Sequence, residues 1–507
     1  MPSRDKVPKP GIYEATAAVR VLYMTISSVT LTPLGTPKLE AYLAVHTEGK
    51  AVCRRAGYNH GRQDCAHIQQ LTMIVADQTL GIKQGFHGDS EANKPSHVFF
   101  VHQFTIHVVA RIADKNPDVK FAYAGRSKEK LDKTLEMART NTKLELNDVA
   151  LIIADVSNED SLLKMAQQTK VVINCVGPYR FYGEKVVKAC IEGGANHVDI
   201  SGEPQYLETM QLKYAKEAEE KGVHIVGACG FDSVPADLGT LFLQESFEGD
   251  VNSVEMVVGL HDESSGNAPI NFTTMECAIH GLAHSSELKA IRKELFPTPL
   301  PKSSFKPEPR GKLFFSEEAN RWCLPNLASD RSVVTRSQRG ILDLEKRRPV
   351  QFNAYFGMSS LSTAIFGIVF GILFYLMASF TFTRSLLLKH PEFFTFGLFS
   401  RKGPKREDLV GMKFCVTLTG KGWENKIEDP EQQHTDPPTV SKTVTVVGPD
   451  PGYFGTATIV SQCALTVLQE KDKLPKSGGV FPPGAAFLKT TLRDRLQDNG
   501  IHFKVKE

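Results

Sequence analysis

The sequence has no excess of charge of either sign. Its 60 Lys and Arg nearly balance 57 Asp and Glu, a formal charge of +3 over 507 residues, so electrostatics gives no argument for nucleic acid. It also lacks a CxxC pair. The nine cysteines are odd in number and scattered from Cys53 to Cys463, which reads as reduced thiols in a cytosol-facing protein. Cys53 and Cys65 have His60 and His67 nearby, at a spacing that matches no zinc motif, and no metal is expected. The opening stretch MPSRDKVPKPGIYEATAAV has no long apolar run, so no secretory signal is expected. A mean hydropathy of −0.20 excludes a polytopic membrane protein, though not one apolar segment. What is present, 41% hydrophobic and 23% charged residues, is globular composition with chain enough for two domains. It excludes a collagen-like, coiled-coil or wholly disordered chain.

Residues 1–103 hold no sustained period of 3.6 or 2.0. Short apolar runs such as Val19–Ile26 and Leu71–Val75 alternate there with polar stretches. An atypical, weakly ordered segment without a site is expected. From Val119 the pattern changes. Strands are predicted at Val119–Ala124, Ala150–Ala154, Val171–Val176, His197–Ile200 and Val223–Gly227. Helices are predicted between them at Ser127–Arg139, Glu159–Thr169 (capped by Ser157), Gly183–Glu192 and Pro204–Lys221. Glycines after the last two stop them. This alternation argues a Rossmann-like, doubly wound parallel sheet over residues 104–238, an α/β fold. Beyond Asp237 the rhythm is lost. Residues 239–348 and 404–454 are assigned to a second, α+β domain for substrate or dimerisation, with antiparallel strands at Lys413–Gly420 and Lys442–Gly448. Residues 455–507, with a helix at Thr456–Glu470, are expected to return to the first domain.

Residues 349–403 form an apolar insertion. Pro349–Thr383 has no Asp, Glu, Lys, Arg or His, and a helix over Leu361–Phe382 would be about 33 Å long, enough for a bilayer. A buried core helix seldom runs this far without a polar face. The flanking Lys346, Arg347, Arg348, Arg384 and Lys389 set no orientation. If residues 404–507 complete domains begun before residue 345, a single span would separate the halves. An apolar hairpin or shallow insertion with both ends cytosolic is therefore expected, on a membrane or a lipid-droplet monolayer. Phe393, Phe394, Phe396 and Phe399 suit its interface.

A doubly wound sheet binds its ligand at the carboxyl ends of its strands. In AGRS, Arg126 would sit where an adenosine ribose lies and hold a 2′-phosphate, favouring NADP over NAD; otherwise it is a surface Arg. Asp155 faces the adenine amine or caps a helix. In NCVGPY, Gly177 permits close backbone approach, Pro178 fixes the turn, and the Tyr179 phenol either donates a proton or packs. In DISGE, Asp199, Ser201 and Glu203 supply polar groups for a substrate, Ser201 alternatively forming a capping turn before Pro204. In GFDSVPADLG, Asp232 and Asp237 orient groups or cap a helix. Each loop is weak alone, and their recurrence at successive strand ends carries the weight. Ahead of Val119, His97–His102 reads as a strand and Thr105–Ala113 as a helix, with no glycine between them. Side chains there would crowd a pyrophosphate, an objection to tight cofactor binding.

The runs AGRSKEKL, VVINCVGPYRFYGEKVVKACIEGGANHVDISGEPQ, GFDSVPADLG and GGVFPPGAAF closely resemble the saccharopine dehydrogenase-like oxidoreductases. The resemblance covers Phe104 to Glu507. It implies a Rossmann domain, a second α/β domain and NAD(P)-dependent oxidoreduction. It also implies kinship with bacterial trans-acting enoyl reductases of glycolipid synthesis, and association with lipid droplets or membranes, including the cytosolic face of the endoplasmic reticulum. Tyr179 and Asp199 are the expected catalytic residues. Arg126, Asp155, Gly177, Pro178, Ser201 and Gly202 are the expected cofactor contacts. A small-molecule or lipid substrate is expected, and a homodimer stays open. The alternative is a non-catalytic lipid-droplet or membrane protein that keeps the fold without the cofactor.

Overall fold

Parallel strands need both faces covered, so they read as short continuous apolar runs separated by helices. The computed structural model describes residues 69–74, 101–262, 269–429 and 432–506. The first sheet is built from β1 (Gln69–Ile74), β2 (Val119–Gly125), β3 (Ala150–Ile153), β4 (Val171–Asn174), β5 (Asn196–Asp199) and β6 (His224–Val226). Helices α1 (Val101–Lys115), α2 (Lys128–Thr142), α3 (Glu159–Ala166), α4 (Tyr179–Gly193) and α5 (Pro204–Glu220) connect them in turn. From one edge the strands run β3, β2, β1, β4, β5, β6, all parallel. This is the doubly wound order whose direction reverses between β1 and β4, opening a crevice at their carboxyl ends.

Two sequence expectations are corrected here. Gln69–Ile74, inside the stretch expected to be weakly ordered, is the strand at the reversal point, paired with both β2 and β4. Val101–Lys115 is one continuous helix, not the end of a strand at His97–His102 followed by a helix at Thr105–Ala113. The expectation of weak order for residues 1–68 and 75–100 lies outside the described residues. Smaller differences have local causes. Asn158, not Ser157, caps α3, its Oδ1 accepting from the Ser161 amide at 3.1 Å. Helix α4 begins at Tyr179, before the expected Gly183, because Glu203 accepts from its first amides. It stops at Gly194, whose φ of +78° suits a residue without Cβ.

The chain then enters the second domain through α6 (Val234–Ser246), β7 (Val251–Asp262), β8 (Ile270–Asn271), α7 (Phe272–Ala283) and α8 (Glu287–Leu295). It continues with β9 (Phe314–Ser316), β10 (Arg321–Pro325), α9 (Asp330–Glu345) and β11 (Gln351–Met358). The apolar segment follows as α10 (Leu361–Ser379), α11 (Thr381–Lys389), α12 (Pro391–Phe394) and β12 (Phe399–Ser400). After α13 (Arg406–Leu409) come β13 (Met412–Gly422) and β14 (Val440–Pro449), then α14 (Thr456–Gln469). The chain ends with β15 (Gly479–Phe481), α15 (Pro483–Ala486), α16 (Leu492–Asp498) and β16 (His502–Lys506). The second sheet runs β16, β14, β13, β7, β11, β10, β9, antiparallel except for β7 beside β11. The C-terminal segment divides. Helix α14 packs on α1, β4 and β5, and β15 adds to β6, while β16 joins the second sheet. One continuous core, including Val171, Val254, Leu418 and Ile459, runs from the first sheet into the second.

The boundary expected at residue 349 also moves. Gln351–Met358 is a strand of the second sheet, so the insertion proper starts at α10. Strands β11 and β13 flank β7 on its two sides. Both ends of the insertion are therefore anchored in one sheet, which is incompatible with a single span between them. Phe370, Phe374 and Ala378 of α10 pack with Leu387 of α11 against Met275 and Ile279 of α7. The opposite face of α10, including Ile365, Val369, Ile372, Leu373 and Leu376, is exposed, as are Phe380, Phe382, Phe393 and Phe396. Among the described residues α10 is the one helix long and apolar enough to cross a membrane by length and composition.

Candidate functional site

The carboxyl ends of β4, β5 and β6 meet the second domain at a cleft of about 190 Å³. The first domain contributes Cys175, Gly177, Gly202, Glu203 and Asp232, and the second contributes Asn271, Thr273, Thr274 and Cys277. The walls follow from the local sequence. Asn174, fully buried, accepts from the Val176 amide at 3.0 Å and folds the turn after β4. The Gly177–Pro178 peptide is cis, and Pro178 is the N-cap residue of α4.

Glu203 lies at the positive end of α4. Its two carboxylate oxygens accept from the amides of Tyr179 at 2.7 Å and Arg180 at 3.3 Å. Burial raises its pKa, against these bonds and one from the Cys277 thiol. Burial likewise pushes the Cys175 thiol up to about 12, so it is a poor nucleophile.

Two further carboxyls meet where the domains meet. Asp232 follows β6 and lines the cleft; Asp330 is the first residue of α9, 5% exposed. They are hydrogen-bonded to each other, Asp232 also to Ser329 and Asp330 also to Ser233. Asn326 Nδ2 donates to Asp330 Oδ2 at 2.8 Å. Burial and then repulsion from Asp330 raise the Asp232 pKa far above the usual carboxylate range. A Cβ placed on Gly202 would meet Asp232 Oδ2 at 2.9 Å, so the close approach at this wall depends on glycine. On the opposite wall, Asn271 caps α7 with its Oδ1, which accepts from the Thr273 amide at 2.9 Å. Its Nδ2 is buried in the same cleft wall without a hydrogen-bond partner.

Helix α7 has two working faces. Thr273, Thr274 and Cys277 face the cleft, whereas Met275 and Ile279 face the apolar helices. One helix thus separates the cleft from the exposed apolar surface.

The sequence-predicted residues divide into four groups. Gly177, Tyr179, Gly202, Glu203 and Asp232 line the cleft. Asp199 and Ser201 are buried outside its lining. Asp199 accepts from the amides of Ser201 at 3.0 Å and Ala228 at 3.1 Å, and from the Tyr206 hydroxyl at 3.1 Å. Burial raises its pKa to about 6. Ser201 Oγ accepts from the Glu203 amide at 3.2 Å, the capping-turn alternative. Arg126 and Asp155 sit at the ends of β2 and β3, away from the cleft lining. Asp155 accepts from the Ser157 amide and hydroxyl, which lower its pKa, with a further contribution from Arg126. Pro178 serves as the cap of α4. The Tyr179 hydroxyl donates to the Asn174 carbonyl at 2.8 Å and accepts from the Ile200 amide at 3.4 Å, and burial raises its pKa well above 10. Sequence reasoning missed Asp330, Asn271 and Thr273, because nothing in their local patterns separates them from ordinary helix starts, and it gave Cys277 no role beyond that of a scattered thiol.

Residues 103–226 match the family model described as the saccharopine dehydrogenase NADP binding domain. The chain is similar to a human protein named saccharopine dehydrogenase-like oxidoreductase, 40% identical over 411 residues, covering 80% of this chain and 95% of that one. It is similar to a Caenorhabditis elegans protein named lipid droplet localized protein, 38% identical over 395 residues, covering 76% and 92%. It is also similar to a putative trans-acting enoyl reductase of Mycobacterium tuberculosis, 26% identical over 421 residues, covering 79% and 94%.

Proposed function

Because the chain belongs to the saccharopine dehydrogenase-like oxidoreductase family, we propose that it reduces a polarised double bond of a lipid-like molecule with a nicotinamide dinucleotide, while docked on a lipid surface. The observation that carries this reading is the shared wall. Helix α7 presents Thr273, Thr274 and Cys277 to the cleft and seats the apolar helices on its other face. A site so placed takes water-insoluble substrate from the surface that the protein covers.

The described residues fit the cofactor. The strand order opens a crevice between β1 and β4, and Gly177 and Gly202 put no side chain of their own into the adjoining cleft. Arg126, exposed at the end of β2, would hold a 2′-phosphate, so NADP is the preferred form, with Asp155 toward the adenine. Residues 75–100, between β1 and α1, lie outside the described residues, and no phosphate contact is assigned to them. Bound there, the reduced nicotinamide supplies a hydride. The chain's own part is to place the substrate's double bond, exclude water and deliver a proton.

Ile365, Val369, Ile372 and Leu376 recur on one face of α10 and, with the exposed phenylalanines, suit the acyl boundary of a droplet monolayer or the cytosolic leaflet of the endoplasmic reticulum. Titration of the full chain with NADPH, followed by fluorescence, is expected to give micromolar binding weakened by Arg126→Ala. Flotation with phospholipid-coated triolein emulsions is expected to carry the protein to the lipid fraction. Flotation without NADPH or NADH binding would leave the alternative, a lipid-surface protein that keeps the fold.

A further inference from the structure

We propose that Asp232, hydrogen-bonded to Asp330 across the domain boundary, is the proton donor of the cleft. The inference rests on the oxidoreductase reading above and assigns the second half of its reaction.

The geometry supplies a carboxyl that must be neutral. Two carboxyls in hydrogen-bond contact inside a protein cannot both ionise, so one proton stays between them. Asp330 opens α9, a helix of 16 residues, and the helix dipole favours negative charge at that first position. Asn326 Nδ2 adds a bond at 2.8 Å to Asp330 Oδ2. Asp232 lies outside α6, one residue before its Ser233 cap, whereas Asp330 lies inside the first turn of α9. The charge therefore rests on Asp330 and the proton on Asp232, which is the member that lines the cleft.

A second, independent feature indicates a bound molecule. Asn271, 8% exposed, lines the same cleft with a buried Nδ2 that has no partner. A buried amide N–H without an acceptor is costly, and a ligand oxygen relieves it. The cleft thus offers one unsatisfied donor to hold a carbonyl oxygen and one neutral acid to give up a proton. Tyr179 offers no competing donor, since its hydroxyl is committed to the Asn174 carbonyl.

The electron-poor carbon of the substrate's double bond takes a hydride from the reduced dinucleotide, which leaves oxidised. The π electrons move to the other end of that bond and form a new bond to the Asp232 proton. The electrons of the broken O–H bond remain on Asp232, and solvent protons restore the pair. Other titratable groups near this path are His102, Cys175, Glu203, Cys277 and Tyr453 in the same cleft, the Tyr453 hydroxyl accepting from the Asn271 backbone amide at 3.1 Å, and Asp237, which feels the Asp330 charge. Glu203 is committed to the α4 amides. Asp237 is committed to Ser337 and the Gly484 amide.

The test uses the full chain on triolein emulsions, with NADPH and trans-2-decenoyl-N-acetylcysteamine or decanal as probes. Asp232→Asn is expected to lower probe reduction by about 100-fold or more while NADPH affinity stays within about twofold. Asp330→Asn removes the charge that keeps the proton on Asp232. The alkaline limb of the rate–pH profile should then move to lower pH by roughly one unit or more. Infrared difference spectra of wild type minus Asp232→Asn at pH 7.5 should show one protonated-carboxyl band. An Asp232→Asn protein that reduces either probe at the wild-type rate, an unmoved alkaline limb in Asp330→Asn, or no difference band overturns the assignment. Wild type that binds NADPH but reduces neither probe overturns the donor role alone. Wild type that binds no NADPH overturns the oxidoreductase reading and the donor role with it, while the infrared band still decides whether the pair shares a proton.

Discussion

At the scale of single residues, the cleft is assembled by close approaches that tolerate little change. Gly202 has ordinary backbone angles, so alanine costs nothing there through strain, but its Cβ would stand 2.9 Å from Asp232 Oδ2 and 3.8 Å from Ser329 Oγ. Asp232 cannot retreat without leaving Asp330. Gly202→Ala is expected to cost about 1–2 kcal/mol in thermal or urea unfolding and to separate the two carboxyls. A stability equal to wild type would mean that the wall has slack. Away from the cleft, Glu470 shows the opposite electrostatic case. Burial works to raise its pKa, yet bonds from Thr491, Lys473 and Arg495 hold it down at about 2. A carboxyl with a depressed folded pKa stabilises above its unfolded value, near 4.5, and that contribution disappears as pH falls toward 2. Glu470→Gln is therefore expected to lose roughly 2–3 kcal/mol at pH 7 and much less at pH 3, measured by urea unfolding at the two pH values.

At the scale of elements, the decisive feature is a helix with two apolar faces. One face of α10 buries Phe370 and Phe374 against α7, and the other leaves Ile372 and Leu373 each 55% exposed. Charge on the exposed face disturbs no packing. Val369→Asp with Ile372→Asp should change the folding free energy by about 0.5 kcal/mol or less per site, while flotation with triolein emulsions falls at least tenfold. Retained flotation would place the lipid contact elsewhere. Much of this organisation was legible in sequence. Apolar runs such as VVIN, bounded by Gly and Pro, marked the buried parallel strands, and residues 361–382 marked the apolar helix. Strand β1 was not legible, because its short apolar run stands far in the sequence from α1, outside the strand–helix alternation that begins at Val119. The expected site was legible in part. Glycines at strand ends locate a cleft whatever the chemistry, hence Gly177 and Gly202. A carboxyl at a strand end has two fates, ligand or structure, and Asp199 took the second under bonds from Tyr206 and two amides. Asp330 was out of reach, because only the docking of the second domain brings it to Asp232.

At the scale of the molecule, one core couples the two sheets, so the charge states of its buried groups act on the stability of the whole. Burial lowers the pKa of His197 to about 3 and of His107 to about 4, and raises that of Asp199 to about 6, Asp450 to about 6 and Asp237 to about 7. The two sets oppose each other. Between about pH 4 and 6.5 the unfolded chain binds more protons at the histidines and the folded chain binds more at the acids, so the two slopes offset. As pH rises above 6.5 the histidines become neutral in the unfolded chain as well, and their contribution fades. The acids whose folded values are raised furthest, Asp237 and Asp232, then contribute most. A raised carboxyl pKa means that stability falls as pH climbs toward the folded value. The melting temperature is therefore expected to change little between about pH 4 and 6.5 and to fall by on the order of 1–2 °C per pH unit from there to pH 8. Asp237→Asn isolates its share. It keeps an oxygen for the Ser337 hydroxyl and the Gly484 amide, which donate to Asp237 Oδ2 at 2.5 and 2.6 Å. It has no proton to lose, and it sets an amide where Oδ1 lies buried without a partner. The variant should flatten the decline above pH 6.5 in differential scanning calorimetry, and a decline as steep as that of wild type would place the titrating group elsewhere. Asp237 on α6 and Asp330 on α9 interact electrostatically where these two helices pack, so the charge state of Asp237 bears on the partner that holds the proton on Asp232.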